Sequence, residues 1–126
     1  MAELSLEVQT LIVSDRQREL DLAMVPYDLW GTRAHVLMLE KQQIVDRAKA
    51  RAILIALNQI EKEWNDQQFE IDPQRGAQLT LEKKIVELAG EQAGLSTHTA
   101  RSRNDQVMVT ETLYIRDRLV QLWHDA

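Results

Sequence analysis

Apolar residues recur along the chain at helical spacing, with turn-forming residues between the runs. Leu4, Val8, Leu11 and Ile12, then Leu20, Ala23 and Met24, give a first stretch that reads as helix, broken near Ser14 or Asp15. Pro26 suits the first position of a second, short helix through Tyr27, Leu29, His35 and Met38, because that position needs no N–H. Gly31 within it lowers helix propensity and calls for a reason. The clearest pattern is Ala50, Ile53, Leu57, Ile60 and Trp64, whose steps of three and four make one stripe, with Asp46 placed as its cap. Residues 65–78 lose the period, and Pro73 and Gly76 mark a loop in which Phe69 and Ile71 suggest a short strand. Leu81, Ile85 and Leu88 restore it, and Gly90 is placed to end that helix. Residues 91–103 read as a loop, almost wholly small and polar after Leu95. The last helix is expected near Asn104, with Met108, Ile115, Leu119 and Leu122 on one face and no stop signal before Ala126. The pattern predicts an all-α fold of four or five helices. Its last helix runs on as if cut from something longer and presents an apolar face that needs a partner.

Composition narrows the function classes. At 126 residues the chain has room for one modest domain, and 44% apolar content is that of a folded protein. A net charge of −5, with Arg101 and Arg103 the only dense basic cluster, argues against nucleic acid as partner. A small anion needs no more than one or two such arginines. The absence of Cys excludes disulfides, thiolate metal sites and cysteine nucleophiles. The start has no signal-peptide pattern and no apolar run reaches membrane-spanning length, so a cytoplasmic protein is expected, with no membrane partner.

The chemistry-bearing segment is His98-Thr99-Ala100-Arg101-Ser102-Arg103-Asn104-Asp105-Gln106. It is a polar loop entering a helix start, where unpaired N–H groups and partial positive charge favour carboxylates or phosphates, and Arg adds a bidentate grip. Composition alone favours a plainer account: Asn104 or Ser102 is an N-cap and the arginines are solvated or paired at the surface.

The order of residues shifts that balance. The segment resembles the His-Thr-(Gly/Ala)-Arg-Ser-Arg-Asn-Asp-Gln block of argininosuccinate lyases, members of the fumarase/aspartase superfamily. Leu20-Asp21, Val25-Pro26-Tyr27-Asp28 and Gly31-Thr32-Arg33-Ala34-His35 resemble a second block of that family. Leu81-Glu82 through Glu87-Leu88-Ala89-Gly90 resembles a third, in the same order along the chain. The resemblance runs from about residue 18 onward. It implies an N-terminal helical domain over residues 1–103 and, over 104–126, the beginning of a long helix of a central bundle. It also implies a cytoplasmic carbon–nitrogen lyase of arginine biosynthesis that splits argininosuccinate into arginine and fumarate without metal or organic cofactor. A base takes a proton beside a carboxylate, fixed donors hold the resulting anion, and an acid assists departure of the guanidino group.

Residue by residue, the resemblance places Asn104 as a substrate-binding residue, with Ser102 and Arg103 beside it on the substrate carboxylates. Thr32 stands where the family has a substrate-binding Ser; the plainer alternative is a hydroxyl bonded back to its own helix. Gln78, Thr99 and Arg101 are expected to line the site. His35 and His98 do not match the family's catalytic histidine; His35 reads as packed on a helix face and His98 as a loop hydrogen bond. Two departures stand out. Arg75-Gly76-Ala77-Gln78 replaces the family's Glu-Asp-x-His, so Gln78 cannot carry a proton. Trp30 replaces an Arg and reads as core or interface. No catalytic residue is expected in this sequence, since the family's Ser-Ser-x-Met-Pro-x-Lys-x-Asn-Pro loop and its catalytic His block are both missing. Relatives assemble their sites from three subunits of a tetramer. The alternative from another class is a non-catalytic helical module, descended from the lyase, that acts by association.

Overall fold

The structure, a computed structural model, describes residues 15–72 and 75–126. Among these residues every regular element is helical, as the apolar spacing predicts. Helix α1 spans Asp15–Lys41, α2 Arg47–Asn65, α3 Gly76–Ala89, the short α4 Glu91–Leu95 and α5 Arg103–Asp125; a 3-10 turn, Ser96–His98, follows α4. The expectations for Leu4, Val8, Leu11, Ile12 and Pro73 fall outside the described residues.

The helix expected to open at Pro26 does not exist as a separate element. Pro26 lies inside α1, which is continuous across it. A proline there cannot bond the carbonyl one turn back, that of Leu22. The indole Nε1–H of Trp64 donates to this oxygen at 3.3 Å instead. The far end of α2 thus supplies the hydrogen bond that α1 lacks. Gly31 has its reason too: a Cβ there would sit 3.3 Å from Val109 Cγ1, so its absence lets α1 and α5 approach.

Helix α2 follows its stripe closely. Ala50, Ile53, Leu57 and Ile60 are buried, and Trp64 packs against the core edge. Asp46 caps it, accepting from the Lys49 N–H at 2.9 Å. Because that bond satisfies an otherwise open donor, Asp46→Ala is expected to lower the urea unfolding midpoint. An unchanged midpoint would show the cap to be dispensable. The core joins Val25, Leu29, Val36 and Leu39 of α1 to these residues and to Leu81 and Ile85 of α3.

Three boundaries differ from the sequence reading. Phe69 and Ile71 form no strand; Phe69 is a buried plug in an irregular connection. Helix α3 begins at Gly76, so Gln78 is helical and not in a loop. Residues 91–98 are helical turns, because tertiary packing on α3 orders a segment whose composition is loop-like. Gly90 ends α3 as expected, at φ +84°.

Helix α5 packs on α1 with an unusual division of faces. Its buried residues are polar, Gln106 and Thr110. Met108, Ile115, Leu119 and Leu122 are each more than half exposed, as the uncovered apolar face requires. Trp30 is not in the core: it is 46% exposed, with the Arg116 guanidinium 5.9 Å from its ring centre. Among the described residues no helix is long and apolar enough to cross a membrane.

Candidate functional site

Ser102 opens α5 with a capping box. Its hydroxyl lies 3.2 Å from the Asp105 N–H and 2.8 Å from Asp105 Oδ2, while its own N–H donates to that carboxylate at 3.1 Å. Of the two caps open in the sequence, Ser102 and Asn104, the first is the one used. These bonds hold the Asp105 carboxyl below its ordinary range. Arg103 and Asn104 occupy the exposed first turn, and Arg103 Nη2 reaches both Glu82 oxygens at 3.5 Å. His98 Nε2 also lies 2.9 Å from Glu82 Oε1, so this α3 carboxylate stands between the two ends of the loop.

The second motif block meets the first from α1. Thr32 is 1% exposed, and its hydroxyl donates to Asp28 Oδ1 at 3.2 Å. Arg101 Nη1 and Nη2 lie 3.4 and 3.3 Å from the Thr32 oxygen. The Thr32 bond is therefore to a side chain of its helix and not to the backbone. Gln106 Nε2 donates to the same Asp28 oxygen at 2.7 Å. His35 Nε2 is 2.9 Å from the Thr99 carbonyl, which fixes the turn before Arg101. That contact needs the proton on Nε2, and burial holds the His35 pKa below its ordinary value, so the neutral ring is favoured.

Asp28 is the residue that sequence reasoning passed over. It is 4% exposed; burial raises its pKa, against the lowering effects of Gln106, Thr32 and Arg101. Burial likewise lowers the Arg101 pKa, while Asp28 and Glu82 raise it. Among the described residues Arg101 Nε and Gln106 Oε1 are buried without a protein partner. Asp28 lines two cavities of about 270 Å³ each. One is bordered by Asp21, Gly76, Gln78 and Glu111, the other by His35, Arg101, Asp105 and Gln106. Of the expected site residues, the structure joins Thr32 to Arg101 and keeps Ser102, Arg103 and Asn104 at the adjoining surface. Gln78 lies across Asp28 in the other cavity, and Thr99 contributes its carbonyl to His35. A usable signal for Asp28 and Gln106 was present: Asp28/Thr32 and Gln106/Thr110 are polar pairs four apart on facing helices. Among the described residues no cluster of His, Asp and Glu is arranged to hold a metal ion.

Fold and site together describe an all-helical protein whose polar groups gather where a loop enters a helix. No protein-family model matches the chain. It is 40% identical over 111 residues to the argininosuccinate lyase of Synechococcus elongatus, a match covering 86% of this chain and 23% of that protein. The argininosuccinate lyases of Crocosphaera subtropica and Gloeobacter violaceus are 40% and 41% identical over 104 and 100 residues. Those matches cover 81% and 79% of this chain, and 22% and 21% of the two proteins. The chain is thus related to the argininosuccinate lyases along their N-terminal portion, and spans less than a quarter of the length of these curated relatives.

Proposed function

We propose that the chain is the N-terminal portion of an argininosuccinate lyase and supplies groups that hold the carboxylates of the substrate. The observation that carries this reading is the meeting of two motif blocks at the contact between Arg101 and Thr32, residues 69 apart in the chain. Arg101, Arg103 and Asn104 then supply donors around a helix start that Ser102 caps, suited to a polycarboxylate. In the reaction a proton leaves the carbon beside a carboxylate, the C–N bond breaks, and the guanidino group departs with a proton as fumarate forms. The donors of this chain would bind and orient; the base and acid would come from elsewhere in the enzyme. Gln78 has no proton to exchange at neutral pH, and neutral His35 is held at a backbone carbonyl, which agrees with that division. The same reading makes residues 1–103 a helical domain and 104–126 the beginning of a bundle helix. It places the open face of α5 in the core of a cytoplasmic tetramer, where other helices would cover it.

The test has two arms, both followed by fumarate absorbance. The 126-residue chain alone is expected to release no fumarate from argininosuccinate; turnover at an ordinary enzyme rate would overturn the assignment of the proton-transfer groups elsewhere. Substituted for the matching segment of the Synechococcus elongatus lyase, it is expected to yield an active enzyme. A folded but inactive chimera would overturn the substrate-binding role.

A further inference from the structure

We propose that Asp28 and Thr32 are positioning residues that aim the Arg101 guanidinium, so that Arg101, and not the Thr32 hydroxyl, is the group offered to a substrate carboxylate. This rests on the substrate-binding role proposed above. A hydroxyl has one proton to give. That of Thr32 goes to Asp28 Oδ1, and the guanidinium fills the remaining side of the oxygen. Thr32 then has no proton left for a substrate, and at 1% exposure it has almost no surface to meet one.

Asp28 secures the segment at two points. It reaches Arg101 through Thr32 and bonds Gln106 directly, on the next turn of the chain. A buried carboxylate is costly unless its bonds serve it. Here it has no direct ion pair with Arg101: the charge acts through the intervening hydroxyl. A face-to-face pair would occupy the fork of the guanidinium. The mediated arrangement leaves one proton on each Nη uncommitted to Thr32 as a donor a carboxylate can use, while the Nε–H is buried with no protein partner. His35 holds the Thr99 carbonyl, so the backbone leading into Arg101 is fixed independently.

The experiment reads Arg101 on the chain itself, without ligand, through the Nε–H proton resonance in ¹⁵N-labelled protein. In the wild type this proton is expected to exchange with solvent much more slowly than those of the exposed Arg16 and Arg51. Thr32→Val keeps the shape and removes the hydroxyl; exchange at Arg101 is expected to rise roughly tenfold or more, the worth of a charge-assisted hydrogen bond. Thr32→Ser is expected to restore protection to within about a factor of two of the wild type, its hydroxyl making the same bonds. Amide exchange across α2 monitors the fold. If the valine variant fails to fold, Thr32→Ala, which suits a helix, is read by the same criteria. Arg101 exchange as fast as that of Arg16, unchanged exchange on loss of the hydroxyl, or no rescue by serine would each overturn the proposal. Adding fumarate to the wild type tests the other reading separately. A shift of the Arg101 signal supports carboxylate binding, and no shift at millimolar fumarate counts against it while leaving the ligand-free result standing.

Discussion

Leu57→Ala should lower the unfolding free energy by about 2–5 kcal/mol, seen as a drop in the urea midpoint without a change of slope. Leu57 is fully buried in the middle of α2, within the cluster that joins α1, α2 and α3. Truncation removes apolar contacts and leaves a hole that helices on three sides cannot collapse to fill. Ile55, on the same helix, is 59% exposed, and Ile55→Ala should stay within about 0.5 kcal/mol of the wild type. The pair separates burial from helix propensity, since both variants gain an alanine in the same helix. Because a domain of this kind has about 5–15 kcal/mol in total, the Leu57 variant should show partial unfolding on mild heating. A loss under about 1 kcal/mol would mean that the α1–α2–α3 junction is loosely packed, and with it the platform that carries Asp28 and Thr32.

How much of this was legible depends on where each constraint comes from. The α2 stripe and the Asp46 cap are local and periodic, so they can be read directly. The open face of α5 is legible for the same reason. Continuity through Pro26 is not, because the hydrogen bond that replaces the missing one comes from Trp64, 42 residues along the chain from Leu22, whose carbonyl it serves. The helical turns at 91–98 are ordered by contact with α3, which no local propensity reveals. In the site, the motif order points to Arg101, Ser102, Arg103 and Asn104, and composition left either Ser102 or Asn104 as the cap. Asp28 escapes because its importance lies in burial against α5, and an Asp in a Tyr-Asp step looks like any helix-surface carboxylate. Only by pairing the two polar i,i+4 sets on α1 and α5 does the sequence hint at a polar seam where an apolar one is the rule.

Gly94→Ala should destabilise the protein by about 1–3 kcal/mol or more, although the same change in an open helix would stabilise it by about 1 kcal/mol. Sterics decide the sign. A Cβ at residue 94 would stand 2.5 Å from Val86 Cα, 2.8 Å from Val86 Cγ2 and 3.0 Å from Val86 N. Two of these atoms are α3 backbone, so no rotamer change relieves the clash and α4 has to lift away. The lift is transmitted, because α4 runs straight into Ser96–His98 and then to Thr99 and Arg101. Movement there stretches the His35–Thr99 contact and draws Arg101 off Thr32. Gly94→Ala should therefore raise solvent exchange of the Arg101 side chain as well as lower the urea midpoint. Gly31→Ala is the informative contrast: its close neighbour is the Val109 Cγ1 methyl at 3.3 Å, which can yield by a few tenths of an ångström. Its loss should be smaller and should leave Arg101 protected. A Gly94→Ala variant as stable as the wild type would show that α4 rides freely on α3, and that the Arg101 loop is held by Thr32 and His35 alone.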